Sequence, residues 1–533
     1  MHTRGKKVDP GSGERGQSDV AAAPGKRTAV QKRYGHAPVQ RKETDRSAGT
    51  EHGHGLGALE DDDHLETGGS GPVGSIRFAA DPELAAVAEG KKTLTAGASG
   101  IQVTKIQQAL VEMGHLTADK VTGTLDKDTE NAIKAFQKAA GKPESGTVDQ
   151  ATFQALDNTF KDYSVEGKVL AGIKPSVKPT PGKPYAVGKA PKELTDGTRT
   201  LSDAEKAAVN DALSTEQKAD PKTGLLPTFT EEVGGTKYGD RLAVMVNKII
   251  DSYLIRAKDM DKDRKAGHLY DWGDIDKVAA ESKTATDAAF GGYATGPALT
   301  GTGVDAKIKD AWEHKEKSLA ADKSLADGWA DWRVSKILTG SKPVAAIDEK
   351  HGAIQSRGPE KAIVDKVKSD IASKRKDELV LIHKAWPAFA SGGDVFVQRV
   401  QDVDDKGKLD KAKGRDYMWE MFQTVIHEYI HTLEHPAHVG YRKGIAEQKG
   451  GFTLREGVTD YFTKIAYNNT NRTDASLRKN VEGPFHEAAV THTVPDLHTY
   501  GQSANAERAA GIAGLKNMCA AFFLGNVELI GKK

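Results

Sequence analysis

Residues 416–435 have the sequence DYMWEMFQTVIHEYIHTLEH, in which apolar side chains recur every three or four positions. This spacing is typical of a helix with one buried face, and it predicts a long helix from about 415 to 434. His427 and His431 are four residues apart, so both imidazoles lie on the same face of that helix. Neutral imidazoles in this arrangement can bind one zinc ion together.

Glu428 follows the first histidine of this HExxH motif. Its carboxylate therefore projects beside the metal rather than onto it. From that position it can accept a proton from a water molecule, which is the task of a general base in hydrolysis. Taken alone, the motif leaves open a second interpretation, in which the histidines lie on the surface of an amphipathic helix.

A second apolar pattern begins with LREGVTDYF at 454–462 and predicts a helix to about 468. Glu456 is expected to face inward, with Asp460 one turn later. The carboxylate of Glu456 completes a His, His, Glu ligand set and leaves the fourth zinc position for water, as a catalytic site requires. Asp460 is then placed to accept the second ring N–H of a ligating histidine. A solvated acidic helix start is the alternative.

The HExxH segment followed by REGVTDYF resembles the two active-site helices of the gluzincin metallopeptidases. The resemblance implies a zincin-like catalytic domain, placed here at 378–533, which hydrolyses peptide bonds with Zn²⁺ as cofactor. The metal ligands it implies are His427, His431 and Glu456, with Glu428 as the general base.

The same resemblance implies a Tyr or His that stabilises the oxyanion of the reaction. Tyr500 fits this role best, because gluzincins often carry a Tyr shortly before a last apolar stretch, here AAFFLGNVELIG at 520–531. The other candidates downstream are His486, His492 and His498.

Metzincins differ in using a third histidine, in the pattern HExxHxxGxxH. This chain has Glu434 and Ala437 where that pattern requires Gly and His, although His435 and His438 lie nearby. The metzincin ligand set is therefore the less favoured alternative. His435 is expected at the end of the helix, where a cation interacts favourably with the helix dipole.

Two short apolar segments precede the histidine helix. The sequence LVLI at 379–382 predicts a buried strand, and DVFVQRV at 394–400 predicts a half-exposed strand that follows two glycines. In a peptidase, the strand at 394–400 would be the edge that pairs with an extended substrate. A last helix is predicted over 503–524. The predicted fold class is mainly α with a small β-sheet, an α+β arrangement in a multidomain chain.

Residues 98–157 contain three short helical patterns separated by glycines, and they close with GTVDQATFQAL at 146–156. The segment resembles the peptidoglycan-binding domain of many wall-active enzymes, although the usual DGxFGxxT turn is altered to VTGTLDKDT at 121–129. The resemblance implies a three-helix domain at 96–160 and peptidoglycan as a partner. A spacer or docking domain with the same fold is the alternative.

The remaining segments divide the chain further. Residues 1–95 lack apolar periodicity and are predicted to form a disordered leader. Within it, GKRT at 25–28 and PVQRK at 38–42 resemble leader stretches of proteins loaded into bacterial extracellular contractile injection systems. That resemblance implies an effector toxin whose partner is the tube or sheath. Residues 161–197 are predicted to be a Pro/Lys/Gly-rich linker, and 198–377 a helical region of unknown role.

Composition limits the other functions. The 76 Lys and Arg against 75 Asp and Glu give no indication of a nucleic-acid partner, and the single cysteine excludes an intrachain disulfide and a Cys-based zinc site. No run of about 18 apolar residues predicts a membrane span. The basic start lacks an apolar segment, so we expect a bacterial protein made in the cytoplasm without a Sec signal peptide and exported by another route. A non-catalytic peptidoglycan-binding protein with a structural zinc site is the alternative function.

Overall fold

The computed structural model describes residues 73–177, 180, 183–214, 236–271, 275–293, 308–321, 366–367, 369–391, 394–402, 411–449, 453–488 and 503–531. The injection-system resemblances fall in the leader outside these ranges. The described part is mainly helical with two small sheets, which confirms the predicted fold class. Within it, no helix combines the length and the apolar character that a membrane span requires.

The helices, in chain order, are α1 (Pro82–Ala88), α2 (Ile101–Glu112), α3 (Lys127–Ala139), α4 (Gln150–Thr159), α5 (Ser164–Ala171), α6 (Lys192–Thr195), α7 (Asp203–Ser214), α8 (Thr236–Ala266), α9 (Ile275–Phe290), α10 (Ala311–Ala321), α11 (Lys376–Lys384), α12 (Lys411–Leu433), α13 (Pro436–Lys449), α14 (Thr453–Asn469), α15 (Ala475–Glu482), α16 (Ser503–Ala513) and α17 (Leu515–Leu524). The strands are β1 (Leu269–Asp271), β2 (Ile308–Asp310), β3 (Ala388–Ser391), β4 (Asp394–Val397) and β5 (Val400–Asp402).

The N-terminal domain contains the three predicted helices, α2, α3 and α4. Two buried glutamines fix the turns between them. Gln107 donates to Thr124 O at 2.9 Å and accepts from Gly123 N at 2.8 Å. Gln137 repeats this arrangement in the next turn, where it accepts from Gly146 N at 2.9 Å. Each glutamine satisfies backbone groups that burial would otherwise leave without partners, so the two turns are specified by side chains inside the domain.

Residues 73–95 also belong to the N-terminal domain, so the predicted leader boundary at 95 is wrong. Phe78, Leu84 and Val87 are buried in the same core as the three-helix unit. Helix α1 begins at Pro82, and the Asp81 side chain accepts hydrogen bonds from the backbone N–H groups of its first turn. The sequence analysis missed this segment because α1 is too short to show apolar periodicity.

The second domain has one large core built around α9, α12 and α14. Ser282 on α9 donates to the carbonyl oxygen of Phe422 on α12 at 2.9 Å. The ring centroids of Phe290 on α9 and Phe462 on α14 lie 5.4 Å apart. Helix α9 precedes residue 378, so the predicted start of this domain at 378 is too late.

The segment predicted as a linker, 161–197, also packs against this core. Leu170 on α5 and Leu194 on α6 are both buried in it. The interpretation of the whole segment as a free spacer is therefore wrong. Its apolar positions are widely spaced between prolines and lysines, which explains why composition alone indicated a linker.

The predicted strand at 379–382 is wrong, because these residues lie in helix α11. Leu379 and Ile382 are both buried, three positions apart, as expected for one helical face. Acidic residues occupy the first turn and His383 and Lys384 the last, which favours a helix through its dipole. A short apolar run is compatible with either element, and the flanking charges indicate the helix here.

The predicted strand at 394–400 is confirmed over Asp394–Val397, but its predicted place at the sheet edge is wrong. Strand β4 pairs in parallel with β2 and antiparallel with β3, in the order β2-β4-β3. Both sides of β4 are therefore occupied, and β3 is an edge strand in the described structure. Strands β1 and β5 form a separate antiparallel pair.

The predicted helices over 415–434 and 454–468 are confirmed as α12 and α14. The predicted helix over 503–524 is divided into α16 and α17. Gly514 between them has φ +87, a conformation that residues with a side chain rarely adopt. The break allows the chain to turn and cover two sides of α14.

A buried ionic cluster joins the two domains; we call Arg77, Glu112 and Glu166 the interdomain cluster. Arg77 forms two hydrogen bonds to the Glu112 carboxylate, at 2.6 and 2.7 Å, and lies 3.5 Å from Glu166 on α5. Glu112 also accepts from the backbone N–H of Leu515, at the start of α17. Burial raises the pKa of Glu166 to about 8, although the charge of Arg77 opposes this shift. The domains are thus joined by directional contacts.

Gly511 on α16 permits a close approach between the backbones of the two domains. A Cβ atom at this position would lie 2.8 Å from the backbone oxygen of Arg77. We expect Gly511→Ala to lower the free energy of unfolding by about 1–3 kcal/mol, because the added methyl group overpacks the interface. Thermal or urea denaturation measures the change.

Gly440→Ala provides the matched control, since it also lies in a helix and a Cβ atom there meets no atom within 4 Å. Alanine favours a helix over glycine by up to about 1 kcal/mol, so this variant should be as stable as the parent or slightly more so. Equal stability of the two variants would contradict the predicted clash.

Candidate metal centre

Helices α12 and α14 bring three potential metal ligands together. His427 Nε2 lies 3.1 Å from Glu456 Oε2, and His431 Nε2 lies 3.0 Å from the same oxygen. The two Nε2 atoms are 3.1 Å apart. Among the residues that the structure describes, these three form the group of His, Cys, Asp or Glu side chains able to hold a metal ion. These are the three metal ligands predicted from the sequence.

The dimensions of this triangle fit a small tetrahedral metal ion. Ligand atoms at zinc–ligand distances of about 2.0–2.1 Å lie about 3.3 Å from one another in a tetrahedron. The three observed separations are only slightly shorter. Two imidazoles and a carboxylate are a donor set that zinc accepts, and three protein ligands leave one position for water. The residues therefore fit zinc, although the geometry does not distinguish it from other divalent metals with the same ligand preferences.

Two threonines on α14 orient the imidazoles, and the sequence analysis missed both. Thr459 Oγ1 lies 3.1 Å from His431 Nδ1, and Thr463 Oγ1 lies 3.3 Å from His427 Nδ1. Thr463 donates its own proton to Thr459 O, so its oxygen is available to accept from the ring. A proton held on Nδ1 leaves Nε2 with the lone pair that a metal requires. Positions 456, 459 and 463 share one face of a helix, which is the signal that was available in the sequence.

Asp460 is fully buried one turn after Glu456, and its Oδ2 lies 3.9 Å from Lys464 Nζ. Lys464 is itself buried and donates to Glu507 on α16 at 2.9 Å. The same Glu507 oxygen accepts from the Tyr163 hydroxyl at 2.6 Å. The negative charge of Asp460 contributes to the raised pKa of His427. The specific role predicted for Asp460, as acceptor of a ring N–H, stays a prediction.

The electrostatics of the three ligands indicate one shared proton in the metal-free protein. Burial opposes ionisation of Glu456, yet the charge of His431 and hydrogen bonds from both rings hold its pKa well below the usual value. Burial lowers the pKa of His427, but Glu456 more than compensates and raises it above the ordinary value. Burial lowers the pKa of His431 to about 4. Of the two rings, His427 therefore holds a proton more readily than His431.

Glu428 is buried beside the ligands and has an unusual pKa. Burial raises this pKa to about 7, with a further contribution from the negative charge of Glu456, while His427 and the backbone N–H of Ala390 lower it. A carboxylate that titrates near neutrality is suited to accept and return a proton. Ala390 belongs to β3, so the edge strand lies directly beside this candidate base.

The remaining histidines of the sequence analysis have other partners. His435 Nδ1 accepts from Ala437 N at 3.0 Å and its Nε2 lies 3.0 Å from Tyr185 O. His435 lies just after the end of α12, as expected, and both of its ring nitrogens contact backbone groups. His438 Nδ1 contacts Glu434 at 2.7 Å. Neither histidine joins the metal group, which disfavours the metzincin ligand set.

The oxyanion donor is not identified. Tyr500, His492 and His498 lie outside the described residues. His486 is described, and its Nδ1 lies 2.7 Å from Glu482, which also accepts from Trp419 Nε1. Trp419 precedes His427 by eight positions on α12, about 12 Å along the helix, so His486 is held away from the ligands.

The N-terminal domain is the part of the chain with a recognisable relative. Residues 99–156 match the family model of the putative peptidoglycan binding domain. This peptidoglycan-binding domain coincides with α2, α3 and α4, as the sequence resemblance had implied. No curated protein and no solved structure matches the chain. The family match covers a small fraction of the chain and does not extend to the metal centre.

Replacing Thr463 by valine should weaken zinc binding about 10–100-fold, the usual effect of removing a partner that orients a ligating histidine. Valine has the same shape and cannot accept from His427 Nδ1. Competition with a chromophoric zinc chelator measures the affinity.

Thr470→Val is the matched control, because Thr470 also donates to the carbonyl oxygen four residues earlier but lies at the far end of α14. It should bind zinc with the parental affinity. Equal affinities of the parent, Thr463→Val and Thr470→Val would show that the threonine does not orient the ring.

Zinc affinity should fall as the pH falls, because a proton on His427 competes with the metal. Below the raised pKa of His427, and above the pKa of about 4 of His431, one proton must leave for each zinc bound. The apparent affinity then decreases about tenfold per pH unit. The same chelator competition at several pH values measures the slope, and an affinity independent of pH in this range would contradict the shared proton.

Proposed function

We propose that this protein is a zinc-dependent peptidase and that its substrates are peptide bonds of the bacterial cell wall. The convergence of His427, His431 and Glu456, with Glu428 buried beside them, is the observation that carries the proposal. A purely structural zinc site uses four protein ligands and has no need of a neighbouring base.

Each residue has a defined task in this proposal. His427, His431 and Glu456 would hold the metal, and the two threonines keep the imidazole rings in the required tautomer. When bound, zinc supplies a Lewis acid that polarises the scissile carbonyl and favours deprotonation of water. Glu428 takes the proton of the attacking water and returns it to the amine that leaves. The water oxygen bonds to the carbonyl carbon as the C–N bond breaks, so that peptide and water together give a carboxylate and an amine. Tyr500 remains the proposed oxyanion donor.

Strand β3 is the proposed place where the substrate backbone binds. It pairs with β4 on one side, and the backbone N–H of Ala390 reaches the Glu428 carboxylate. An extended peptide lying along this edge would pass directly beside the base. This assignment replaces the strand at 394–400, which is in the middle of its sheet.

The peptidoglycan-binding domain supports the cell wall as the location of the substrate. A protein of a target cell, reached through an injection system, is the second substrate class, and it rests on the leader resemblance alone. A non-catalytic wall-binding protein with a structural zinc site is the third. These three functions predict different cleavage products when the protein is incubated with peptidoglycan and with an unfolded protein.

Incubation of the zinc-loaded protein with purified peptidoglycan and with denatured casein separates these functions. New amino termini in peptidoglycan alone support the wall peptidase, and cleavage of casein alone favours a protein substrate. A chelator should abolish either reaction. Failure to cleave both substrates with zinc bound would contradict peptidase activity on these two substrate classes.

Glu428→Gln should keep its zinc and its fold while turnover falls by at least about 10²-fold, the lower end of the effect of a general base. Glutamine has the shape of glutamate but cannot accept the proton. In contrast, His431→Ala and Glu456→Ala should lose the metal.

Glu528→Gln is the control, because it removes the same charge from an exposed residue near the C-terminal end of the described structure. It should cleave at the parental rate. Near-normal turnover of zinc-loaded Glu428→Gln would mean that another group is the base.

A further inference from the structure

Glu166 is the second carboxylate of the interdomain cluster, beside an arginine that is already paired. Arg77 forms two short hydrogen bonds to Glu112, whereas it lies 3.5 Å from Glu166 Oε1, longer than a usual hydrogen bond. The other oxygen, Glu166 Oε2, has no hydrogen-bond partner among the residues that the structure describes. All three side chains are at most 5% exposed. One buried positive charge therefore faces two carboxylates.

The N-terminal domain supplies the groups that cover Glu166. Arg77 and Glu112 belong to that domain, and Val165, the preceding residue of α5, packs against its apolar core. If the domains separated, the Glu166 carboxylate would be in contact with water. Its surroundings therefore change from wet to dry when the N-terminal domain docks.

The elements packed around α5 provide no second cation for Glu166 among the described residues. The cations on these elements have partners of their own: Lys105 on α2 with Asp81, Lys464 on α14 with Glu507, Arg508 on α16 with Asn505, and Lys283 on α9 with Asp287. Two negative charges, Glu112 on α2 and Glu507 on α16, disfavour ionisation of Glu166. Tyr461 on α14 stays neutral near pH 7, because burial raises the pKa of its hydroxyl well above the usual value.

We propose that Glu166 takes up a proton when the N-terminal domain docks, so that the contact between the two domains weakens as the pH rises. A carboxylate without a compensating charge is costly to bury, and a neutral carboxyl group costs much less. Proton uptake of this kind makes the docking of the domains sensitive to pH. It does not depend on the proposed peptidase function.

The direction and the pH range of the effect follow from linkage. Burial raises the pKa of Glu166 from 4.5 to about 8 in the docked protein, although the charge of Arg77 opposes this shift. Below about pH 4.5 the carboxyl group is protonated in both arrangements, and docking has its full strength. Between these two values, separation of the domains releases one proton, so the docking equilibrium constant falls about tenfold for each pH unit. Above about pH 8 the loss is complete.

The backbone N–H of Leu515 reports on docking in the full chain. As the first residue of α17 it has no acceptor in its own helix, and it donates to Glu112 across the interface at 3.1 Å. Hydrogen exchange measured by NMR, corrected for the intrinsic rate at each pH, should show its protection falling about tenfold per unit from about pH 5.5 to 7.5. The Leu477 N–H is the internal control, because it donates to Asp474 within the second domain and should keep constant protection.

Glu166→Gln has the shape of the protonated side chain and no charge at any pH. It should match the parent near pH 5 and give about 10²-fold higher Leu515 protection near pH 7.5. Glu166→Met is also uncharged and should likewise lose the pH dependence, which keeps the test valid if the glutamine variant does not fold. Glu144→Gln is the matched control, because it removes the same charge from an exposed residue of the N-terminal domain and should behave like the parent.

The outcomes separate proton uptake from the proposed function. Constant Leu515 protection in the parent over this pH range, or the same pH dependence in the parent and in the uncharged variants, overturns proton uptake by Glu166. Neither result affects the metal centre or the incubation with peptidoglycan and casein. Conversely, failure to cleave both substrates leaves pH-dependent docking standing.

Discussion

One oxygen atom, Glu456 Oε2, lies within 3.1 Å of two imidazole nitrogens inside the protein. Burying a carboxylate is costly unless its charge is compensated, and here a proton or a metal ion must do so. The partners come from two helices, so the charge is compensated only while α12 and α14 remain packed. The aromatic contacts of α9 and α14, such as Phe290 with Phe462, keep them in place. The arrangement of the three potential metal ligands thus depends on the packing of these helices in the core.

An adjacent face of α14 carries a second set of buried charges. Lys464 connects Asp460 to Glu507, and Glu507 in turn accepts from Tyr163 in the segment that follows the N-terminal domain. Removing one member of such a set leaves an uncompensated buried charge, which typically costs about 3–5 kcal/mol. Charges of this kind add little net stability, but they allow few alternative arrangements. They fix the rotation and position of the helix that carries Glu456.

Much of the candidate site could be predicted from the sequence because its ligands follow helical spacing. A pair at i and i+4 and an acidic residue at the start of the next helix already limit which side chains can converge. Thr459 and Thr463 were missed because threonines on a helix are usually satisfied by the backbone, and only the facing imidazoles give them a role.

The fold was predicted less completely, and the errors share a cause. The sequence LVLI at 379–382 is apolar in any conformation, and the position of β4 in its sheet depends on β2, which lies more than 80 residues earlier. The docking of 73–95 and of 161–197 likewise depends on surfaces formed by distant residues. Local spacing carries no information about such partners. The long helices with a regular apolar face, α12 and α14, were predicted correctly.

The interdomain cluster changes how the peptidoglycan-binding domain can work. In the proposed wall peptidase, a flexible linker would let that domain bind the wall while the metal centre sampled nearby bonds at random. Arg77 and Glu112, tied to the start of α17, join the two parts firmly instead. These contacts hold the two domains at a fixed distance from each other. In the proposed wall peptidase, a strand bound by the N-terminal domain would reach the metal centre at a constant distance, and cuts along a regular polymer would follow its repeat.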